Sequence, residues 1–435
     1  MLLQTLSPAE AGFEAAFAEV CARASAATDP KVLQGAAEIL AQVEAEGGAA
    51  LLELTARFDG WTPADADALE VPRADWEAAY DRLDPPLREA LELAAARIRR
   101  FHEAQGEAPV ELDDGAGGQV GQRAYPVARA GVYVPGGTAR YPSSVLMTAI
   151  PARVAGVEEV IMVSPTPGGA PDDALLAAAK VAGVDRVFRL GGAQAIGALA
   201  YGAGPVPPVD VIVGPGNVWV AAAKQLVRGR VSVDMEAGPS EVLIVADHSA
   251  EPAWVAADLL AQAEHDPAAV CVLITPHPPL LPAVEAALAE QLATLPRAEI
   301  AAGALRAQGA AIVCSDLDEA LELASRFAAE HLELMIEAPR AALPKVRAAG
   351  AVFLGAHTPE ALGDYVAGPS HVLPTGGTAR FASPLGVHHF MRRMSVLEFS
   401  PEGLEAVADA AEALAAAEGL HAHGRAVALR RRGTQ

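Results

Sequence analysis

The sequence predicts an α/β protein with two successive parallel sheets, on three observations. First, four strand-like runs each close on a Gly/Pro turn: Val132–Val134 before Pro135-Gly-Gly137, Val160–Val163 before Ser164-Pro-Thr-Pro-Gly-Gly169, Val187–Leu190 before Gly191-Gly192, and Val211–Val213 before Gly214-Pro-Gly-Asn217. Second, each is followed by a helical run, and the units recur at about 24 to 28 residues, the rhythm of right-handed βαβ units. Third, the rhythm resumes after residue 240, with strands near Val242–Ala246, Val270–Thr275, Ala311–Cys314, Leu334–Ile336 and Ala351–Leu354.

In chain order, residues 1–124 read as a helical N-terminal region. Alanine-rich periodic segments from 8 to 107 break at Asp29-Pro30, Gly47-Gly48 and Asp84-Pro85-Pro86, and a turn-rich stretch, Asp113–Gly118, follows. Residues 125–240 form the first sheet domain and 241–376 the second. The four turns of the first fall at its carboxyl edge, where parallel sheets bind ligands. Residues 377–435 are a tail, with Phe381–Val387, a Phe390-Met-Arg-Arg-Met394 segment and a terminal helix from Pro401 to Glu418. The tail is too small to hold its own core, so it is expected to pack on another unit, a second subunit being one choice.

At 435 residues, 52% hydrophobic and 20% charged, the chain can bury large cores. A net charge of −23 excludes nucleic acid and anionic membranes as expected partners, because both repel an acidic surface. Cys21, Cys271 and Cys314 lack metal spacing and read as buried thiols in a reducing compartment. The start, Met1-Leu-Leu-Gln-Thr-Leu-Ser-Pro8, has neither the basic region nor the apolar stretch of a signal peptide, which predicts a cytoplasmic location. Leu190–Val209 is the longest uncharged stretch, but its five glycines and three prolines argue against a membrane helix.

Four constellations carry chemistry. Gln262 and His265 share a face at the end of a helix, where the dipole favours a cation, although such a pair taken alone is more often a hydrogen-bonded cap than a metal site. Glu330 and His331 are adjacent at the predicted end of a helix, pointing about 100° apart and able to act on different protons. A surface Glu beside a capping His is the plainer alternative. Asp364 and His371 lie in a Gly/Pro loop, and Glu418, His421 and His423 follow the terminal helix. A Gln, an Asp and two His from separate segments suit a borderline-soft ion such as zinc. The glycine turns permit backbone approach to a nucleotide, although no G-x-G-x-x-G stands between strand and helix.

Several ordered blocks resemble histidinol dehydrogenase: Val132-Tyr-Val-Pro-Gly-Gly-Thr-Ala-Arg-Tyr-Pro-Ser-Ser-Val-Leu-Met147, Gly214-Pro-Gly-Asn217, Ala237-Gly-Pro-Ser240, Gln262-Ala-Glu-His265, Glu330-His331-Leu-Glu-Leu334, Gly363-Asp364-Tyr365 and His371–Arg380. The resemblance covers nearly the whole chain. It implies two atypical Rossmann-like parallel-sheet domains and oxidation of L-histidinol to L-histidine through a bound aldehyde, with two NAD⁺ used in succession. It implies one zinc per subunit on Gln262, His265, Asp364 and His423. Glu330 would activate water and His331 would be the general base. Substrate contacts would be Ser240, His371 and Glu418 beside His331 and the four ligands, and NAD contacts Tyr133, Gln194 and Asn217. A homodimer is also implied, with the tail completing the partner's site.

The sequence departs from the family's usual pattern at Ala329, where proline is common, and at Trp219, where tyrosine is common. His421, two residues before His423, leaves the register of that ligand open. A zinc hydrolase using Glu330 without NAD, and a non-catalytic ligand-binding relative, are the alternative functions. The glycine turns with Tyr133, Gln194 and Asn217 argue against the first, and the presence of Glu330, His331 and all the ligands argues against the second.

Overall fold

The computed structural model describes residues 1–22, 29–106, 108–136, 141–235 and 238–432. Gly137–Arg140 and Ala237, part of the blocks above, lie outside these residues. The chain falls into two units, Met1–Ala104 with Ala128–Phe390, and Gln105–Val127 with Met391–Gln435.

The first unit holds both predicted parallel sheets. One has five strands in the order Arg186–Arg189, Glu159–Ser164, Arg129–Tyr133, Val211–Val213, Ser232–Val233, all parallel. Read by position in the chain this is third, second, first, fourth, fifth, the winding of a mononucleotide-binding half, and the order reverses between Arg129–Tyr133 and Val211–Val213. The N-terminal helix Pro30–Glu46, capped by the Asp29 carboxylate on the Lys31 amide at 2.8 Å, packs on helices Gly192–Tyr201 and Val218–Val227. Leu40 and Val43 press against Gly197, where an added Cβ would come within 3.2 Å of both. The N-terminal helices thus bury the outer face of this sheet's helical layer.

The second sheet has six strands: Gln4–Leu6, Ala310–Val313, Val270–Thr275, Glu241–Ala246, His331–Met335, Ala351–Leu354. Apart from the Gln4–Leu6 edge it repeats the winding of the first, reversing between Glu241–Ala246 and His331–Met335. Both faces are covered, which explains the unbroken apolar runs: Leu243, Val245, Val272 and Ile274 enter one core, and Val242, Ile244, Cys271 and Leu273 the other. The edge strand comes from the first residues of the chain, a segment to which the sequence pattern assigned no strand.

The second unit is a three-stranded antiparallel sheet, Met391–Phe399, Gly118–Pro126, Val110–Asp113, with helices Pro401–Ala417 and His421–Arg432. The Asp113–Gly118 turn is held by the Asp114 carboxylate, which accepts from the Ala116 and Gly118 amides at 2.8 Å each. Arg431 ties the two helices together through Glu405, Asp409 and Glu412 at 2.5, 2.6 and 3.2 Å. Ala408 and Ala415 are the buried apolar side chains of this unit among the described residues, while Leu112, Leu397 and Leu414 are each more than 60% exposed.

Candidate active site

The Glu330-His331 pair does not end a helix. The preceding helix, Leu317–Phe327, stops at Ala328, whose φ of 55° is the sole positive value for a non-glycine among the described residues. His331 instead opens a strand, paired with Val242 and Ala351, and the Glu330 carbonyl already accepts from the Ala351 amide at 2.8 Å. The left-handed residue turns the chain into the sheet where the amphipathic pattern alone suggested more helix.

His331 is buried, and its Nδ1 lies 2.9 Å from the Glu241 carbonyl oxygen. A carbonyl only accepts, so Nδ1 carries the proton and Nε2 carries the lone pair. Nε2 is buried without a hydrogen-bond partner, with the Asp364 carboxylate 3.8 Å away. Burial pushes the His331 pKa down, against the pull of Asp364. The ring is therefore held neutral with a free base nitrogen.

Glu330 accepts from the Glu241 amide at 2.9 Å, and Glu241 accepts in turn from the Glu330 and Gly376 amides. Burial lifts Glu241 to about 7. Burial, then the charge of Glu241, raises Glu330 well above the usual carboxylate range.

Gln262 lies on the last turn of helix Pro252–Ala263, fully buried, and His265 just past it, where Asp266-Pro267 stops the helix. Only with its amide nitrogen toward Glu360 does Gln262 find complementary partners, donating to both carboxylate oxygens at 2.7 and 3.2 Å. Glu360 opens the short helix Glu360–Tyr365, which carries Asp364 one turn on. Oxygens of Glu360 and Asp364 and a nitrogen of His331 lie within 4.8 Å of one another, a group able to hold a metal ion. Around Glu360 stand Asp364, Glu333, Glu330 and Asp258; after burial, their charges further raise its pKa. His371 donates from Nδ1 to the Asp364 carbonyl at 2.9 Å, and its Nε2 meets the Ser144 hydroxyl at 3.1 Å.

The structure thus brings Gln262, Glu330, His331, Asp364 and His371 into one cluster at the amino ends of the second sheet's strands, with Ser240 one residue before Glu241. His265 is exposed beside it, close enough for its charge to bear on His331 and His371. Tyr133, Gln194 and Asn217 lie elsewhere, at the carboxyl edge of the first sheet. The Tyr133 hydroxyl accepts from the Gly192 amide at 3.2 Å, Gln194 is buried in the next turn, and Asn217 caps helix Val218–Val227 through the Trp219 and Val220 amides. Glu418 and His423 belong to the second unit, exposed at the junction of its two helices.

Sequence pattern alone does not single out Glu241, Glu333 or Glu360. Two signals were present: Glu241 and Glu333 interrupt otherwise apolar strands, and Glu360 stands four residues before Asp364 on one helical face.

The sequence matches the family model of histidinol dehydrogenase over residues 22–431. The chain belongs to the histidinol dehydrogenase family. A histidinol dehydrogenase of Ralstonia nicotianae is 51% identical over 434 residues, covering 99% of this chain and 98% of the relative. Another, from Acinetobacter baylyi, is 48% identical across 99% of this chain and all of its own length. The crystal structure of histidinol dehydrogenase from Elizabethkingia anophelis superposes with a TM-score of 0.93 at 33% identity, covering 100% of this chain and 99% of that one. Membership in this family thus extends to the fold. No helix among the described residues is long and apolar enough to cross a membrane.

Proposed function

We propose that this protein oxidises L-histidinol to L-histidine through a bound aldehyde, in the cytoplasm, with NAD on residues 125–240 and the metal and catalytic groups on 241–376. The observation that carries the reading is the His331 tautomer: Nδ1 is committed to the Glu241 carbonyl, leaving a buried, unpartnered Nε2.

The residues fit a divalent ion, because oxygens of Asp364 and Glu360 and a nitrogen of His331 converge where several buried carboxyls lie close together. Zinc on Gln262, His265, Asp364 and a fourth ligand would orient the amino-imidazole substrate. The first sheet's carboxyl edge, with two helix N-termini at Gly192 and Val218, fits an anionic dinucleotide near Tyr133, Gln194 and Asn217. NAD supplies the hydride acceptor.

In the first oxidation His331 Nε2 accepts the hydroxyl proton as the carbinol hydrogen leaves as hydride. Water then adds to the aldehyde carbon and loses a proton to Glu330, whose raised pKa makes it a strong base once ionised. In the second oxidation His331, its first proton released to solvent, accepts the proton of the hydrate as the carbon-bound hydrogen leaves as hydride to a second NAD⁺, and the acid forms. Ser240 and His371 contact the substrate in this reading. Glu418 and the fourth ligand, His423, come from a second copy of the chain in a homodimer; the small buried core of the second unit supports such an exchange.

The decisive test is NADH formation by zinc-loaded protein given histidinol and NAD⁺. No reduction of NAD⁺ overturns the proposal, and hydrolysis of an ester or amide without NAD would favour a zinc hydrolase instead.

A further inference from the structure

An amide is a poor choice of metal ligand unless something decides which end faces the ion. Its oxygen can coordinate, but its nitrogen carries only protons, and the two ends exchange by rotation about a soft terminal torsion. Gln262 is fully buried, so the wrong orientation cannot be corrected by water. Glu360 resolves this ambiguity by geometry: with the amide nitrogen toward it, Gln262 donates to both of its oxygens at 2.7 and 3.2 Å, whereas the amide oxygen in that place would face only acceptors. The oxygen of Gln262 is then the end turned away from the carboxylate.

Glu360 is itself held. Its amide donates to the Glu333 carboxylate at 3.0 Å, and its side chain is buried within the fold. It also lies one helical turn before Asp364, so the same short helix supplies one expected ligand and orients a second.

We infer that Glu360 is a positioning residue, which holds the Gln262 amide with its nitrogen inward so that the amide oxygen is presented to the zinc ion. The inference rests on the zinc reading above. It differs from a role for Glu360 as a ligand or as a negative charge near the ion, because only the positioning role survives replacement by a neutral acceptor.

Zinc affinity of the full-length apoprotein, measured by competition with a chromophoric chelator, separates these roles, together with the visible absorption of the cobalt-loaded protein. Glu360→Gln still offers an amide oxygen to the Gln262 nitrogen and should bind zinc within about threefold of the parent, with an unaltered cobalt spectrum. Glu360→Leu offers no acceptor; it should bind roughly ten- to a hundredfold more weakly, and its cobalt spectrum should match that of Gln262→Leu. In a Gln262→Leu background, Glu360→Leu should cause no further loss.

Equal losses in Glu360→Gln and Glu360→Leu overturn the inference in favour of a charge or ligand role, and undiminished affinity in Glu360→Leu overturns it outright. If Glu360→Leu does not fold, the cobalt spectrum of Glu360→Gln decides alone, a change like that of Gln262→Leu counting against positioning. Parent protein that takes up no zinc defeats the metal reading itself, whatever the variants do.

Discussion

In the first sheet the strand order reverses between Arg129–Tyr133 and Val211–Val213, and the groups of interest, Tyr133 and the Gly214–Asn217 turn, lie at the carboxyl ends. In the second the same reversal falls between Glu241–Ala246 and His331–Met335, and the cluster sits at the amino ends, on Glu241, Glu330 and His331. The two edges differ in electrostatics for a backbone reason. Helices leaving a carboxyl edge start there and present free amides, which suits a pyrophosphate; helices arriving at an amino edge end there, as Pro252–Ala263 does at Gln262, and present carbonyls, which suits a cation. One winding used from opposite ends therefore yields sites of opposite preference.

If the edges are separate in function, damage at one should leave the other intact. The largest effect is expected at His331. His331→Asn removes the ring nitrogen proposed to take the substrate proton and should lower kcat of both oxidations by about 10²- to 10⁴-fold, with the KM for NAD unchanged. A parallel rise in that KM would show that the edges are coupled.

Glu330→Gln should divide the amino edge further. Its assigned partner is water, so single-turnover kinetics should show the aldehyde-to-acid half falling by roughly 10²-fold while the first oxidation is largely spared. Equal loss in both halves removes the distinction between Glu330 and His331.

At the opposite edge Gly214 has a φ of 112°, and a Cβ there would sit 2.1 Å from the Tyr133 carbonyl oxygen. Its amide donates to the Asp234 carboxylate at 2.7 Å, and its carbonyl accepts from Lys224 at 2.9 Å, so the turn is anchored by a buried ion pair and cannot yield cheaply. Gly214→Ala should cost roughly 2–5 kcal/mol of stability and weaken NAD binding, while zinc content measured on the folded fraction stays at the parent level.

Most strands of both sheets are legible in the sequence, but the carboxyl edge of the first is marked there and the amino edge of the second is not. Four of the first sheet's five strands end in Gly/Pro turns, whose special backbone requirement marks their position, whereas Ser232–Val233 has no such turn and no strand is expected there. The amino edge carries no such marks. Its strands begin within helix-to-strand connections, so the pattern places Glu330 and His331 at a helix end, although a single left-handed alanine, Ala328, turns the chain first. Amphipathic periodicity in Leu317–Phe327 could not reveal that stop. Gln262 and Asp364 were readable as polar groups in a suggestive context, whereas Glu360 gains its meaning from the Gln262 amide, nearly a hundred residues away, and long-range pairing of that kind leaves no local pattern. The antiparallel sheet of the second unit leaves no local pattern for the same reason, since Gly118–Pro126 and Met391–Phe399 pair from distant parts of the sequence.

The smallest predicted effect concerns Glu241, which shares the amino edge with Glu330 but has no assigned part in the reaction. Its pKa is raised by burial from 4.5 to about 7, so the folded state favours the neutral form. The sign follows: the stability associated with that neutral form is fully present below pH 4.5 and is lost as pH rises through about 7, because the unfolded chain ionises first. Glu241→Gln keeps an acceptor for the Gly376 amide and removes the ionisation, so stability measured by thermal melting should be unchanged at low pH and higher above pH 7 by on the order of 1–3 kcal/mol. It should also move the pH profile of the hydration-dependent half-reaction to lower pH, since the Glu241 charge is one of the causes holding the Glu330 pKa up. A variant whose melting curve gains nothing at alkaline pH would mean that Glu241 is solvated in the native protein, and the amino edge would then owe less of its proton chemistry to burial than the carboxyl pair implies.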